Sequence, residues 1–199
     1  MSINLVKGQK ISLVKDNGNK LDSFCVGANW GMIEKNGFFG KKKKAVDLDL
    51  SVGLYDENKN LLDVVYFGNL KVPGIVHSGD DLTGDSDGDD GFDNEVIQVK
   101  LSSVPEMVKH IVFILNSYNG DDFQTIPYAS IRLYEGTPTR VNNVVAKYNI
   151  ASDNSYAGHV SMLLGKLYKR NDEWKFAAIG MPTKDRKLEQ TLITATRYI

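Results

Sequence analysis

Short apolar runs with a period of two residues cover most of the chain, and this alternation is typical of a fold built from β-strands. The runs lie at 11–14, 24–28, 46–55, 62–67, 96–101, 111–116, 131–135, 144–150, 160–168 and 174–179. Turn-forming Gly, Asn and Asp separate many of them, as in DNG at 16–18 and NG at 119–120. Repeated strands at this spacing indicate two packed sheets. We therefore predict an all-β protein, a two-sheet β-sandwich with short helical segments.

Two stretches give finer predictions within this fold. The run at 111–115 is apolar at every position, which predicts a strand covered on both faces near the middle of a sheet. RND at 170–172 separates two apolar runs and predicts a hairpin. In the C-terminal segment 183–199, Leu188, Leu192, Ala195 and Ile199 recur at near-helical spacing after Pro182. We predict a closing helix in that segment.

Length and charge limit the classes of protein to which the chain can belong. Its 199 residues suit one domain spanning 1–199. A formal net charge of -1 argues against generic nucleic-acid binding. Cys25 is the only cysteine and lies in an apolar stretch, which predicts a buried thiol in a reducing compartment. No transmembrane segment or export signal is predicted, so we expect a cytoplasmic protein.

The basic run at 41–44 follows a Gly- and Phe-containing stretch, GFFG. Four lysines without a hydrophobic stripe would give only weak, salt-sensitive adhesion to a membrane or a nucleic acid. We therefore predict a solvated loop at this run.

The most informative segment is HSGDDLTGDSDGDDGFDNE at 77–95, and no Lys or Arg occurs between Lys71 and Lys100. Two like charges about 4 Å apart cost about 4 kcal/mol at an effective dielectric constant near 20. A bound cation would offset that repulsion. Glycines at 79, 84, 88 and 91 allow sharp turns that can aim carbonyl oxygens inward. Carboxylate, hydroxyl and carbonyl oxygens are hard ligands, which favours calcium.

Other ion-binding motifs fit this segment poorly. Zinc requires clustered Cys and His, whereas Cys25, His77, His110 and His159 are scattered along the chain. An EF-hand with Gly88 at its sixth position would need its final acidic residue at 94, but that residue is Asn94. GDDLTG lacks the Lys that completes a P-loop.

A second acidic element is the strand motif VDLDLSV at 46–52. Alternation places Asp47, Asp49 and Ser51 on one face and the apolar residues on the other. Aspartate is disfavoured in strands, so a pair at alternate positions indicates a functional role for the two carboxylates. The two carboxylates could complete a cation shell begun by the loop.

Several motifs together resemble the TerD family of tellurium-resistance and stress-response proteins. They are VKGQKISLVK near the start, VGANW at 26–30, DLDLS at 47–51, VVYFGNL at 64–70, HSGDDLTGDSDGDD at 77–90 and EWKFAAIG at 173–180. NSYNGDDF at 116–123 and GHVSMLLGKLYKRNDEWKF at 158–176 are most similar to the TerZ-type members. The resemblance covers nearly the whole chain.

The resemblance implies a calcium-binding β-sandwich, and we expect two Ca²⁺ ions. The implied metal ligands are Asp47, Asp49, Asp80, Asp81, Thr83, Asp87, Asp89 and Asp90, with main-chain carbonyls at Gly79 or Gly84. Three positions depart from the family pattern. The acidic residue that usually follows GDD is displaced by GFDN, which leaves Glu95 as the shifted candidate ligand. Asp81 stands where many members carry Asn, and Gly31 stands where an acidic residue is common.

From these motifs we predict a non-enzymatic stress-response protein in which calcium joins the loop at 79–95 to the strand at 47–51. The ordered loop would form a surface for partner proteins of the stress-response system, including a membrane-associated complex. One alternative is a calcium-dependent carbohydrate-binding sandwich. The other is a metal-assisted hydrolase, which would need an open coordination position and a nearby general base.

Overall fold

The computed structural model describes residues 3–4, 8–14, 18–37, 40–150, 154–171 and 173–199. In chain order the strands are β1 (Ile3–Asn4), β2 (Lys10–Ser12), β3 (Ser23–Trp30), β4 (Ile33–Gly37), β5 (Gly40–Lys44), β6 (Leu48–Tyr55), β7 (Leu61–Val65), β8 (Lys71–Val72), β9 (Ile75–His77), β10 (Glu95–Lys100), β11 (His110–Ser117), β12 (Ala129–Thr137), β13 (Arg140–Asn149), β14 (Ser161–Arg170) and β15 (Glu173–Thr183). The α-helix α1 (Leu188–Ala195) follows them, and short 3-10 helices lie at Leu101–Ser103, Phe123–Thr125 and Asn154–Tyr156.

Two large sheets carry the fold. The first sheet has the strand order β1-β13-β12-β3-β10-β9-β8, and the second has the order β2-β15-β14-β11-β6-β7. Neighbouring strands are antiparallel except for the parallel pair β1 and β13. One apolar core contains Val26 and Ile97 of the first sheet together with Leu50 and Phe113 of the second. The predicted two-sheet sandwich is thus confirmed.

Strand β11 explains the run of consecutive apolar residues at 111–115. It lies between β14 and β6. Phe113 and Leu115 belong to the core between the sheets, whereas Val112 and Ile114 belong to a second cluster on the outer face. Both faces of the strand are therefore covered, as the sequence predicts.

Helix α1 covers the outer face of the second sheet. Leu192 and Ala195 pack with Val112, Ile114 and Tyr55, and the Tyr55 hydroxyl donates to the Leu192 carbonyl at 2.9 Å. The helix is shorter than the segment 183–199 for which it was predicted. No helix in the described part of the chain is long and apolar enough to cross a membrane.

The hairpin predicted at 170–172 is also present, because β14 pairs with β15 up to Arg170 and Glu173. Asn171 has φ 52°, the left-handed conformation that Asn tolerates in tight turns. Residue 172 itself lies outside the described residues. Cys25 is free and buried, as its apolar surroundings predict.

The prediction of a loop at the basic run 41–44 is wrong, because these residues form strand β5 and pair with β4. Glu34 stands opposite Lys43 in this hairpin. The Lys43 Nζ lies 2.7 Å from Asp87 Oδ1, and Lys44 forms an ion pair with Asp121. Lysine is under-represented in strands, and the ion pairs with Asp87 and Asp121 bring opposite charge to this basic strand.

Candidate metal centre

Carboxylates from two separate elements meet at one end of the sandwich. Asp47 directly precedes β6, Asp49 lies within it, and Asp80 comes from the loop after β9. One carboxylate oxygen of each lies within 4.8 Å of the others. We call these three residues the inner cluster. The period of two along β6 explains why Asp47 and Asp49 share a face, as the sequence predicts.

Two members of the inner cluster are strongly desolvated. Asp47 and Asp49 are 6% and 7% exposed. Burial, with the nearby charges of Asp80 and Glu95, raises the pKa of Asp47 to about 6. Burial, with the charges of Glu95 and Asp47, raises the pKa of Asp49 to about 8. Their ionised forms are therefore unfavourable unless a positive charge joins them.

An unsatisfied oxygen supports that conclusion. Among the described residues, the buried Oδ1 of Asp47 has no hydrogen-bond partner. Buried polar oxygens nearly always find a partner, and leaving one without costs about 1–3 kcal/mol. A divalent cation between Asp47, Asp49 and Asp80 would satisfy this oxygen and offset the repulsion.

A second group of carboxylates lies further along the loop. Oxygens of Asp85, Asp89 and Asp90 also come within 4.8 Å of one another, and we call these residues the outer cluster. Tyr128 donates its hydroxyl to Asp85 Oδ2 at 2.9 Å, and Asn94 Nδ2 donates to Asp85 Oδ1 at 3.0 Å. Asp85 is thereby fixed in place, while Asp89 and Asp90 are exposed.

Asn29 of β3 lies against the outer cluster. Its side-chain nitrogen contacts Asp89 Oδ1 at 3.3 Å and Asp85 Oδ2 at 3.5 Å, and it donates to the Phe92 carbonyl. The side chain is buried, and its Oδ1 has no partner among the described residues. Asn29 therefore presents its nitrogen to the outer cluster, whose hard oxygen donors are the three carboxylates, and such donors suit calcium.

Glu95 belongs to neither cluster, and its carboxylate accepts hydrogen bonds from main-chain N–H groups. Its side chain is fully buried, with Oε2 accepting from Leu50 N at 2.7 Å and Oε1 accepting from Asp81 N at 3.2 Å. Burial raises its pKa, although hydrogen bonds from His77 and the main chain oppose that rise. Glu95 therefore connects β10 to both β6 and the loop between β9 and β10, which we call the acidic loop.

His77 lies next to Glu95 and also contacts the main chain of Leu50. Gly79 N donates to His77 Nδ1 at 3.1 Å, so Nδ1 is an acceptor and the ring is the neutral Nε2-H tautomer. Nε2 lies 3.0 Å from the Leu50 carbonyl and 3.3 Å from Glu95 Oε2. Strand β7 pairs with β6 only from Val52 to Tyr55. Beyond that point, His77 and Glu95 bind the main chain of Leu50 in place of a neighbouring strand.

Trp30 anchors the middle of the acidic loop. Its indole is fully buried and donates to the Val46 carbonyl at 2.8 Å. The Trp30 carbonyl accepts from Asp85 N at 2.9 Å, and Val46 N donates to the Thr83 carbonyl at 3.0 Å. Gly84, at φ +73°, lies so close that an added Cβ would be 2.5 Å from the indole Cδ1.

The remaining predicted ligands have other contacts. Asp81 Oδ1 accepts from the main chain of Thr83 and of Gly84 at 2.8 and 3.0 Å, and also from the Thr83 hydroxyl. These bonds lower the pKa of Asp81 against its partial burial. Asp87 is exposed and pairs with Lys43, which lowers its pKa. Gly79, at φ +121°, supplies a turn before Asp80.

The sequence predicted Asp47, Asp49 and Asp80 as ligands of one site and included Asp89 and Asp90 among the ligands. It missed Asp85, a member of the outer cluster, and Asn29, its neighbour. Asp85 lies inside the acidic run, and its position between two glycine turns was an available signal. Asn29 lies next to Trp30 in VGANW, where nothing in the local pattern indicates a contact with residues 85–92.

Comparison with known proteins shows that residues 1–194 match the model of the TerD domain family. Stress response protein SCP2 of Bacillus subtilis (strain 168) is 36% identical, with all of both chains covered. Tellurium resistance protein TerZ of Serratia marcescens is 31% identical over 94% of this chain and 93% of its own. A solved homologue of telluride resistance protein (TerD) from Streptomyces coelicolor shares the fold, with a TM-score of 0.66, 12% identity, and coverage of 88% of this chain and 95% of its own.

Proposed function

This chain belongs to the TerD family, and from that premise we propose that it is a calcium-binding, non-enzymatic protein of the bacterial stress response. The names of its relatives support a role in tellurium resistance and general stress. The calcium, bound in the acidic loop, would order a surface on which other proteins assemble.

The inner cluster is the observation that carries this proposal. Two carboxylates more than nine-tenths buried face a third, and one buried oxygen has no partner among the described residues. All the candidate donors are hard oxygens, whereas both ring nitrogens of His77 are already hydrogen-bonded. This chemistry suits calcium better than zinc.

We propose two calcium ions, one for each cluster. The inner ion would join Asp47 and Asp49 of the second sheet to Asp80 of the loop, and the outer ion would hold Asp85, Asp89 and Asp90 together. The metal would act as a structural or regulatory cross-link. Partner proteins of the stress-response system, including a membrane-associated complex, would bind the ordered loop in the cytoplasm.

Calcium titration calorimetry tests the proposal. The chelator-treated protein should bind two equivalents of Ca²⁺, and Asp47→Asn should remove the inner one. Its matched control, Glu106→Gln, changes an exposed carboxylate outside both clusters and should leave both equivalents in place. A melting temperature indifferent to chelator and to added calcium would overturn the proposal.

The same samples separate the two alternative functions. A metal-assisted hydrolase would turn over phosphoesters with magnesium or manganese and lose that turnover in Asp89→Asn. A carbohydrate-binding sandwich would bind neutral sugars saturably and release them on chelation. Absence of both results, with calcium bound, supports the non-enzymatic interaction module.

A further inference from the structure

A cavity of about 320 Å³ opens beside the inner cluster, and the calcium proposal does not use it. Asp49 forms part of its lining, together with the end of β11 and the residues that lead into α1. Phe67, Tyr118 and Arg186 also line it. Its volume is in the range of small-molecule sites.

The lining of the cavity contains an unsatisfied polar side chain. Asn116 is 4% exposed, and its Oδ1 has no partner among the described residues. It stands opposite Asp49 of β6, on the face of the sheet that α1 covers. The Thr191 hydroxyl donates to the Lys187 carbonyl at 3.1 Å, so its oxygen accepts from Asn116 Nδ2 at 3.2 Å. Asn116 Oδ1 is therefore fixed as an acceptor. A ligand that carries hydroxyl donors would satisfy it.

One wall of the cavity is aromatic. Phe67 and Tyr118 are 37% and 65% exposed and pack edge to face, with ring centroids 5.8 Å apart. Tyr118 N donates to the Asp47 carbonyl at 2.9 Å, which ties this wall to the inner cluster. Aromatic faces beside polar groups suit a ring that is apolar on its faces and polar at its edge, as a sugar ring is.

The rim is charged. Arg186 and Lys187 provide two exposed cations at the start of α1, while Asp49 and Glu189 provide two carboxylates. A divalent cation shared by Asp47, Asp49 and Asp80 would offset most of the negative charge that faces Arg186 and Lys187. Arginine matches a phosphate with paired N–H donors, so an oxyanion between Arg186 and the cation would be well neutralised.

We propose that this cavity binds a sugar phosphate, with a hydroxyl on Asn116, the ring against Phe67 and Tyr118, and the phosphate between Arg186 and the inner calcium. This inference rests on the proposed function, because the calcium offsets Asp49. The chain would thereby couple calcium binding to the presence of a small phosphorylated metabolite.

Calorimetry on the full chain tests the proposal, with glucose 1-phosphate, glucose 6-phosphate and ribose 5-phosphate as probes. Calcium binding is measured first, and each probe is then titrated at saturating calcium and again with chelator. At least one probe should bind with calcium and weaken about tenfold or more without it. Glucose has the ring and hydroxyls but no phosphate, and inorganic phosphate has no ring. Each should therefore bind about tenfold or more weaker than that probe.

Two variants separate ligand binding from stability. Arg186→Ala should weaken the probe about tenfold or more, because it removes a charge-assisted contact. It should leave the melting temperature without probe unchanged, since Arg186 is exposed. Arg170→Ala alters an exposed arginine at the β14–β15 hairpin and should change neither quantity.

The outcomes distinguish this inference from the calcium proposal. Calcium binding without affinity for any of the three sugar phosphates would overturn the inference and leave the calcium proposal standing. Equal affinity with and without chelator, or in wild type and Arg186→Ala, would also overturn it. Failure of the first calcium titration would overturn both.

Discussion

The carboxylate of Glu95 accepts a hydrogen bond from the main-chain N–H of Leu50 at 2.7 Å, and this bond connects the two sheets of the sandwich. Glu95 begins β10 in the first sheet, whereas Leu50 lies in β6 of the second. The same carboxylate also accepts from Asp81 N. A side chain that the sequence marks as a candidate metal ligand thus holds the main chain around the candidate metal centre.

Glu95→Gln should destabilise the protein even when no calcium is present. Leu50 N, Asp81 N and His77 Nε2 all present an N–H to the carboxylate, so the amide nitrogen of a glutamine would face one of these donors. The expected loss is about 1–3 kcal/mol of unfolding free energy, measured by urea titration in chelator. Glu57→Gln, at an exposed position, should have no effect, and an unchanged midpoint in Glu95→Gln would contradict the assigned role.

Asp49→Asn should change stability in opposite directions with and without calcium. At pH 8.5 without calcium, the variant removes a desolvated charge and should be more stable than wild type by about 1 kcal/mol or more. In excess calcium, wild type gains RT ln(1 + [L]/Kd), about 2.7 kcal/mol at 100 Kd, and the variant loses the inner-site part of that gain. Thermal melts in both buffers measure the crossover, and a variant less stable in both would refute it.

The calcium-free protein should lose stability as pH rises from about 4 to about 8. Asp49 has a pKa of about 8 in the folded chain, and Asp47 has one of about 6, whereas an unfolded aspartate titrates near 3.9. Between those values the folded state binds more protons, so unfolding free energy decreases with pH. Denaturant midpoints at pH 5, 6, 7 and 8 in chelator measure this slope, which Asp49→Asn should flatten.

The two clusters should bind calcium separately. Asp89→Asn removes a carboxylate of the outer cluster only and should reduce the stoichiometry from two equivalents to one. Asp49→Asn should make the same reduction through the inner cluster. Titration calorimetry measures both stoichiometries, and loss of both ions in either single variant would show that the clusters form one cooperative site.

Gly84→Ala should destabilise the acidic loop without touching a carboxylate. The added Cβ would lie 2.5 Å from the Trp30 indole and 3.0 Å from the Trp30 carbonyl, in a backbone conformation with φ +73°. Gly88→Ala is the matched control, because φ is +99° there and a Cβ would meet nothing within 4 Å. The difference in unfolding free energy between the two variants measures the contact with Trp30, and equal values would contradict it.

Local pattern predicted the features that depend on local geometry. The alternation in VDLDLSV fixed the shared face of Asp47 and Asp49, because strand periodicity is a property of neighbouring residues. The uninterrupted apolar run in β11 likewise predicted a central strand, because both of its faces need cover.

The features that pattern did not predict depend on long-range partners. The Leu50–Glu95 bond joins residues 45 apart in sequence, and no spacing rule indicates that a carboxylate in an acidic run will accept from a distant strand. The hairpin of β4 and β5 similarly contacts Asp87 and Asp121, which are 44 and 77 residues from their lysine partners. The lysine content suggests a loop, and the tertiary charge pairs cannot be read from the local pattern.

The indole of Trp30 lies fully buried directly beneath Gly84 of the acidic loop. Trp174, the other tryptophan, belongs to β15. Replacing Trp174 by Phe would therefore leave Trp30, under the loop, as the only tryptophan in the chain. The emission maximum of Trp30 would move to longer wavelength when the loop moves away and water reaches the ring. Tryptophan fluorescence would then report directly whether the loop is docked.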